Sequence, residues 1–493
     1  MSSPAKSAVE RWPRQIKFIV GNEACERFCY YGMRSILAGY LTGVALKGGL
    51  GQSDDSATEI IHFFVFANYF MPLLGAWLAD KIVGRYHTIL WVSLFYCAGH
   101  GVLACSGLAS DAHGRLLFLY AGLALIAFGS GGIKPSVSAF MGDQFKPEQS
   151  HLLQKAYGAF YWAINLGSFF SFLVIPWIKD WHGYSLAFGV PGIFMAIATF
   201  IFWLGRKHYV RVPTSRETKS AGFFKVLFTA LVNQKKSGGG ALPRAEADQQ
   251  VGATGRRGSF WDAARGRFSD KEIDAAKSVA PILMVFALIP IFFSLFDQTN
   301  STWVLQGEKM VPARIIGLDI GAEQMQSMNP LIVMVLVPLF TLGIYPRIGR
   351  FASPLRRMSY GMFLAAASYL VVAALQSQIE AGVQLSVLWQ TVPYVILTAA
   401  EVLVSTTGLE FAFREAAPEM KSIVMSFWLL TIAFGDLLVV AVTKLFSNAG
   451  DPAASVSTNR FLLYAGMTFV VAILFSVVAA FYRYRDPAAA QGK

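Results

Sequence analysis

Apolar and polar positions alternate along this chain on a long wavelength. Apolar runs close to the ~20 residues that carry a helix across a bilayer recur through the whole length. They fall at 16–41, 58–78, 87–107, 116–140, 157–178, 184–204, 279–296, 325–345, 354–375, 388–413, 423–446 and 461–482. Short polar stretches separate them. Runs this long are helices rather than strands, and about twelve of them predict an all-α membrane protein with twelve transmembrane helices. Residues 1–15 are polar, so the start does not read as a cleaved signal peptide.

The segments divide six and six. Between them, 206–274 is polar, basic and rich in glycine and serine. The expected organisation is a six-helix bundle over 1–205, a cytoplasmic linker over 206–274 and a second six-helix bundle over 275–493. KKSGGGALPRAEADQQVGATGRRGS (235–259) reads as a flexible tether. On either side of it, GFFKVLFTALV (222–232) and FWDAARGRF (260–268) interleave bulky apolar residues with charge. Two readings stay open for these: helices lying on the membrane surface, or ordinary loop packing.

Composition supports the membrane reading. Of 493 residues, 55% are hydrophobic and only 15% are charged, against about 25% charged in a soluble domain. The mean hydropathy is +0.48. The net charge of +12 would suit nucleic acid, but its distribution points elsewhere. With alternate connections on opposite sides, the side holding both termini gathers roughly twice as many Lys and Arg in its short segments. That is a topology signal and makes both termini cytoplasmic. Cys25, Cys29, Cys97 and Cys105 lie in predicted helices without metal-ligand spacing and read as small buried apolar residues. No metal site, Ser/His/Asp set or nucleotide-binding loop stands out, so neither an enzyme nor an ATP-driven pump is indicated.

One apolar segment is unusual. GNEACERFCYYGMRSIL (21–37) holds Glu23, Glu26, Arg27 and Arg34. On a helix these share one face with Tyr30, and Tyr31 stands at its margin. A charge facing lipid costs roughly 2.5–3.5 kcal/mol on the mildest scale. The stripe must therefore face a protein-lined, hydrated interior. Static salt bridges tying helices together would also satisfy that requirement.

Several motifs resemble a known family. GAWLADKIVGRYH (75–87) resembles the signature loop of the major facilitator superfamily, whose layout is also six helices, a linker and six helices. Asp80 and Arg85 are its charged members, and Gly84 allows a tight turn. The resemblance implies a gating role, pinning one half against the other. ExxERFxYYG (23–32) resembles the hallmark of the proton-dependent oligopeptide transporter family. GIKPSVSAFMGDQF (132–145), FYWAINLGS (160–168), LFDQTNSTW (295–303), EQMQSMNPL (323–331), EVLVSTTGLEFAFREA (401–416) and MKSIVMSFWLLT (420–431) continue it in order. Many bacterial members carry two further helices between the halves. No apolar run of that length lies in 206–274.

The resemblance implies a symporter that imports di- and tripeptides with protons by alternating access. Proton coupling would fall to Glu23, Glu26, Arg27 and Asp297. His62 lies where animal members carry a histidine implicated in proton handling, although it also reads as a polar residue near a helix end. Arg27, Arg34 and Lys134 would hold the peptide carboxylate, and Glu401 with Asn165 and Asn329 its ammonium. Tyr30, Tyr31, Tyr69 and Trp428 would line the space between. Glu410 and Asp436 lie outside these positions and read as packing or gating groups. Peptides, protons and lipid are the expected partners, a monomer in the inner membrane the expected state, and no cofactor is implied. Transport of another small substrate such as nitrate, or a peptide-sensing receptor on the same fold, are the alternatives.

Overall fold

The computed structural model describes residues 12–214, 222–236, 260–349, 353–447 and 454–484. The proposed tether at 235–259 lies almost entirely outside them. Among the described residues, ten helices are long and apolar enough to cross a membrane. In chain order they are helix 2 (Asp54–Val83), helix 3 (Arg85–Leu108), helix 4 (Ala112–Gly142), helix 5 (Lys155–His182), helix 6 (Tyr184–Lys207), helix 8 (Ala322–Arg347), helix 9 (Pro354–Glu380), helix 10 (Val387–Glu415), helix 11 (Pro418–Ser447) and helix 12 (Thr458–Phe481). Helix 7 is a pair, Asp270–Phe286 and Pro290–Glu308, bent by 44° where Pro290 starts the second piece. Helix 1 is Ile16–Ser35, carried on by Leu37–Thr42. Its charged stripe lowers its hydropathy, but its length of about 40 Å is ample for a crossing.

Local chemistry sets the helix starts. Ser53, Asp111 and Ser457 cap helices 2, 4 and 12 by accepting from the backbone N–H of Ser56, Gly114 and Arg460. Ser269 and Glu272 form a reciprocal capping box at the head of helix 7. The helix therefore begins at Asp270, inside the expected linker and before the boundary drawn at 275. Gly84 turns the chain between helices 2 and 3 at φ +85°, a conformation costly for any residue with a Cβ. At Gly75 an added Cβ would lie 2.5 Å from the Cα of Gly132. Helices 2 and 4 thus meet backbone to backbone, as small residues allow in membranes.

The two halves are separately packed bundles. In the first, helix 1 packs on 5 and 6, and helix 4 on 2 and 3. In the second, helix 9 packs on 10 and 12, and helix 7 on 11. Helix 2 meets helix 11, and helix 5 meets helix 8, across the molecule. A hairpin of β1 (Ala313–Ile315) and β2 (Leu318–Ile320) connects helices 7 and 8. We call the end carrying this hairpin the far end, and the end carrying 206–274 the linker end.

Of the flanking segments, GFFKVLFTALV forms a helix, Phe223–Lys236, whereas FWDAARGRF gives a single short turn, Phe260–Ala264. The cysteines differ from expectation. Cys29 is buried, Cys25 and Cys97 are half-buried, and Cys105 is exposed because it sits in the loose turn ending helix 3. Cys29 is also no inert filler, since its Sγ lies 2.9 Å from His100 Nε2.

Candidate functional site

The stripe on helix 1 faces the molecule's interior. Glu23, Glu26, Arg27, Tyr30 and Arg34 are all buried. Arg27 Nε lies 3.0 Å from Glu23 Oε1 and 2.5 Å from Glu26 Oε2. One guanidinium thus holds two carboxylates, leaving the trio one negative charge in excess. Two turns along, Arg34 Nη2 donates to Asp297 Oδ1 at 2.9 Å. Helix 7 tightens into a narrower turn at Asp297–Asn300, which places Asp297 opposite helix 1. This pair joins the two halves.

Lys134 has no such partner. Helix 4 carries it to the middle of the first half, and its Nζ has no hydrogen-bond partner among the described residues. The ammonium sits instead 4.2 Å from the ring centroid of Tyr30 and 4.5 Å from that of Tyr69. Both π faces stabilise it, so it does not reach out toward either membrane surface. The Tyr30 ring also lies 5.8 Å from the Arg27 guanidinium and 5.9 Å from that of Arg34. Three cations therefore surround one buried tyrosine. Tyr31 packs edge-on to it at 5.3 Å.

The second half presents the opposite charge. Glu401 Oε2 accepts from Asn329 Nδ2 at 2.6 Å, and the same amide lies 3.2 Å from Thr398 Oγ1. Just after Glu401 the helix widens by an extra residue per turn over Val402–Thr406, a distortion frequent at functional positions. Asn165 does not join this group directly. Its amide donates to the Tyr161 carbonyl on its own helix at 2.9 Å. Trp428 is buried within the second half, with Phe286 and Phe293 edge-on at 5.4 and 5.9 Å.

His62 is not a group near a helix end. Helix 2 starts at Asp54, so His62 lies two turns inside and is fully buried. Its Nδ1 is 2.7 Å from Asp436 Oδ1 on helix 11, and its Nε2 is 2.8 Å from Ser301 Oγ on helix 7. Sequence reasoning missed this group. The available signal was Asp436 itself, a lone carboxylate in a membrane helix.

Ion pairs divide by end. Toward the far end, Lys179–Glu323 at 2.5 Å, Lys309–Asp54 at 3.2 Å and Lys444–Glu59 at 3.9 Å all join the halves. Asp55 Oδ1 accepts from Ser455 N at 2.8 Å, and Trp177 Nε1 donates to the Asp319 carbonyl in the hairpin at 2.9 Å. At the linker end the described pairs join residues of the same half. Arg85 binds Asp143 at 2.7 Å and Asp80 at 3.2 Å. The loop thus pins helix 4 against helices 2 and 3, inside the first half. Glu410 binds Arg357 and Arg414, and Glu419 binds Lys271. Three ion pairs and two hydrogen bonds thus tie the halves together at the far end.

The pattern that defines the POT family matches residues 86–457. The chain belongs to that family. Among relatives of this POT chain, Peptide transporter family 1 of Drosophila melanogaster is 36% identical over 384 residues, covering 75% of the chain and 48% of the relative. Solute carrier family 15 member 2 of Rattus norvegicus is 35% identical over 395 residues, covering 77% and 51%. The chain spans about half the length of the curated relatives it matches. Solved structures match it along nearly its whole length. A crystal structure of an auto-inhibited POT family peptide transporter is 39% identical with a TM-score of 0.80, covering 96% of this chain and 98% of its own. An in meso crystal structure of the POT family transporter PepTSo is 38% identical with a TM-score of 0.81, covering 97% and 99%. The fold is that of these POT transporters: two six-helix bundles of the major facilitator type.

Proposed function

We propose that this POT chain is not an enzyme but a proton-coupled symporter that imports di- and tripeptides by alternating access. One observation carries the reading. An unpartnered ammonium, Lys134, stands among cations in the first half, and a carboxylate steadied by an amide, Glu401 with Asn329, stands in the second. A short zwitterion satisfies both at once, its carboxylate toward Lys134 and Arg27 and its amine toward Glu401. Tyr30, Tyr31 and Tyr69 supply apolar walls that tolerate varied side chains, as a site with few fixed polar anchors does. A simple anion would leave Glu401 unmatched. The relatives' names, all peptide transporters or members of solute carrier family 15, agree with this reading.

Protons supply the drive. Glu23 and Glu26 share Arg27, and their excess negative charge is removed when one proton binds. His62 with Asp436, and Arg34 with Asp297, bridge the halves and exchange partners as the bundles rock. Asp80 and Arg85 act in the same cycle by keeping the first half rigid at the linker end. No cofactor enters. The protein works as a monomer in the inner membrane, with the linker end cytoplasmic and the far end outside.

Labelled dialanine uptake into proteoliposomes tests the function. Accumulation under an inward proton gradient, and mere equilibration without it, is the expected result. Equal uptake in both conditions removes the coupling, and no competition by other dipeptides removes the substrate class. Single cysteines, in a background lacking the four native ones, test the sides, because Cys105 is itself exposed at the far end. An impermeant thiol reagent added outside cells labels Leu46→Cys, which is 97% exposed at the far end, and spares Arg265→Cys; the reverse pattern inverts the topology.

A further inference from the structure

The linker helix Phe223–Lys236 is apolar on two faces. One is packed. Phe223, Val226 and Ala230 are buried against the turn Phe260–Ala264 and the end of helix 11. Phe223 meets Trp261 at 6.1 Å and Phe427 at 5.8 Å. Asn233 Nδ2 fastens the helix's last turn by donating to the Ala263 carbonyl at 2.7 Å. Among the described residues the other face is largely uncovered, with only Phe224 reaching a neighbour, Phe427. Phe224, Phe228, Leu231 and Val232 follow the i, i+4, i+7, i+8 rule of a single stripe, and they are 48%, 61%, 41% and 48% exposed. The exposed Lys225 flanks the stripe.

The helix sits at a defined depth. Both Phe223 and Phe224 touch Phe427, at 5.8 and 5.9 Å. Phe427 lies about 9 Å along helix 11 from Lys421, where its regular turns begin. On helix 11, Phe427 shares a stripe with Phe434, Ala441 and Leu445. Phe434 is 48% and Leu445 72% exposed, while Asp436, half a turn round from Phe427, points inward to His62. That stripe is the lipid-facing side of helix 11. The linker helix caps its linker end and continues its apolar surface.

We propose that the linker helix lies in the lipid interface, with Phe224, Phe228, Leu231 and Val232 among the upper acyl chains and Lys225 at the phosphates. A helix with an apolar stripe, a basic residue at its flank and little protein on that stripe among the described residues has the signature of an interfacial helix. The partner is therefore the bilayer surface itself. The helix anchors the start of the second half, through the turn Phe260–Ala264 and helix 7, at a fixed depth.

Lipid and water quenchers distinguish the possibilities in the full chain. In a Cys105→Ser background reconstituted in nanodiscs, bimane is placed at Phe228→Cys, at Leu231→Cys, and at Arg265→Cys as the aqueous reference. The variant without an added cysteine supplies the blank. The two helix sites should be quenched strongly by lipids carrying a shallow doxyl group and several-fold less by iodide than the Arg265 site. Iodide quenching equal to that at Arg265, with no effect of doxyl lipid, overturns the proposal. Protection from both quenchers also overturns it, because the face is then covered by protein, such as a second copy of the chain. Two sites keep the test sound if one variant folds poorly.

Discussion

The two ends of the molecule use pairs of a cation and a carboxylate in opposite ways. At the far end lysines and carboxylates reach across the interface, as in Lys179–Glu323 and Lys309–Asp54. At the linker end arginines and carboxylates pair inside their own half, as in Arg85–Asp143 and Arg357–Glu410. A charge paired within its bundle keeps that bundle rigid and leaves the interface free to part. A charge paired across holds the interface shut until something competes for it. A count of ion pairs says nothing of this, whereas their placement separates a latch from a brace.

The most severe way to break this asymmetry is to remove the carboxylates proposed to take up the proton. Glu23→Gln with Glu26→Gln should abolish proton-driven accumulation of peptide. Counterflow, which moves no net proton, should persist. If the double variant still concentrates peptide as the parent does, the carboxylates beside Arg27 are a structural tie only.

The site between the ends should respond next. A charge-assisted hydrogen bond contributes roughly 1.5–3 kcal/mol, so Lys134→Gln and Glu401→Gln should each weaken dipeptide binding by about 10- to 100-fold. Their losses should differ in kind. Acetylating the peptide amine should cost less in Glu401→Gln than in the parent, and amidating the carboxylate should cost less in Lys134→Gln. Competition against labelled dialanine gives each term of the cycle. Full penalties in both variants would reverse or cancel the assigned polarity.

The far-end latch itself should give the smallest effects, graded by burial. Glu323 is buried, so Glu323→Gln should shift the molecule toward an open far end by about tenfold. Asp54→Asn removes a more exposed pair and should shift it by less than about fivefold, with the difference vanishing in high salt. Distances between spin labels at Leu46→Cys and Arg314→Cys, in a background lacking the native cysteines, report the opening. Equal responses from the two substitutions would mean that burial does not set the latch's strength.

How much of this was readable beforehand follows from the reach of sequence patterns. Helical spacing alone placed Glu23, Glu26, Arg27, Tyr30 and Arg34 on one face, because all five lie within about three turns. Length and hydropathy counted the crossings, including the bent helix 7. The start of that helix was missed, since Asp270, Lys271, Glu272 and Asp274 look like linker while serving as a capped first turn. The His62–Asp436–Ser301 group was invisible because its members come from three helices, and Ser301 and Asp436 stand 239 and 374 positions from His62. Asp54, Asp55, Lys179 and Lys309 read as ordinary charges at helix ends. Their meaning lies in what the other half places opposite them, which no local pattern carries. Asn165 shows the converse, since its amide is taken by its own helix in this conformation.

The stripe on helix 1 has a consequence for how the chain is made. Helix 1 leaves the ribosome before any of the partners that cover it. Alone in lipid, its four charges would cost ~10 kcal/mol on the scale of roughly 2.5–3.5 kcal/mol each, more than its apolar residues readily offset. During synthesis the segment must therefore linger in the insertion machinery or at the membrane surface. Helices 4, 5 and 6 then arrive to enclose it, with Gly167 of helix 5 close against the Ala24 carbonyl. An isolated 12–42 segment should insert poorly, and the same segment followed by residues 43–214 should insert well. The buried charges of the stripe thus make the first helix the last of its bundle to settle.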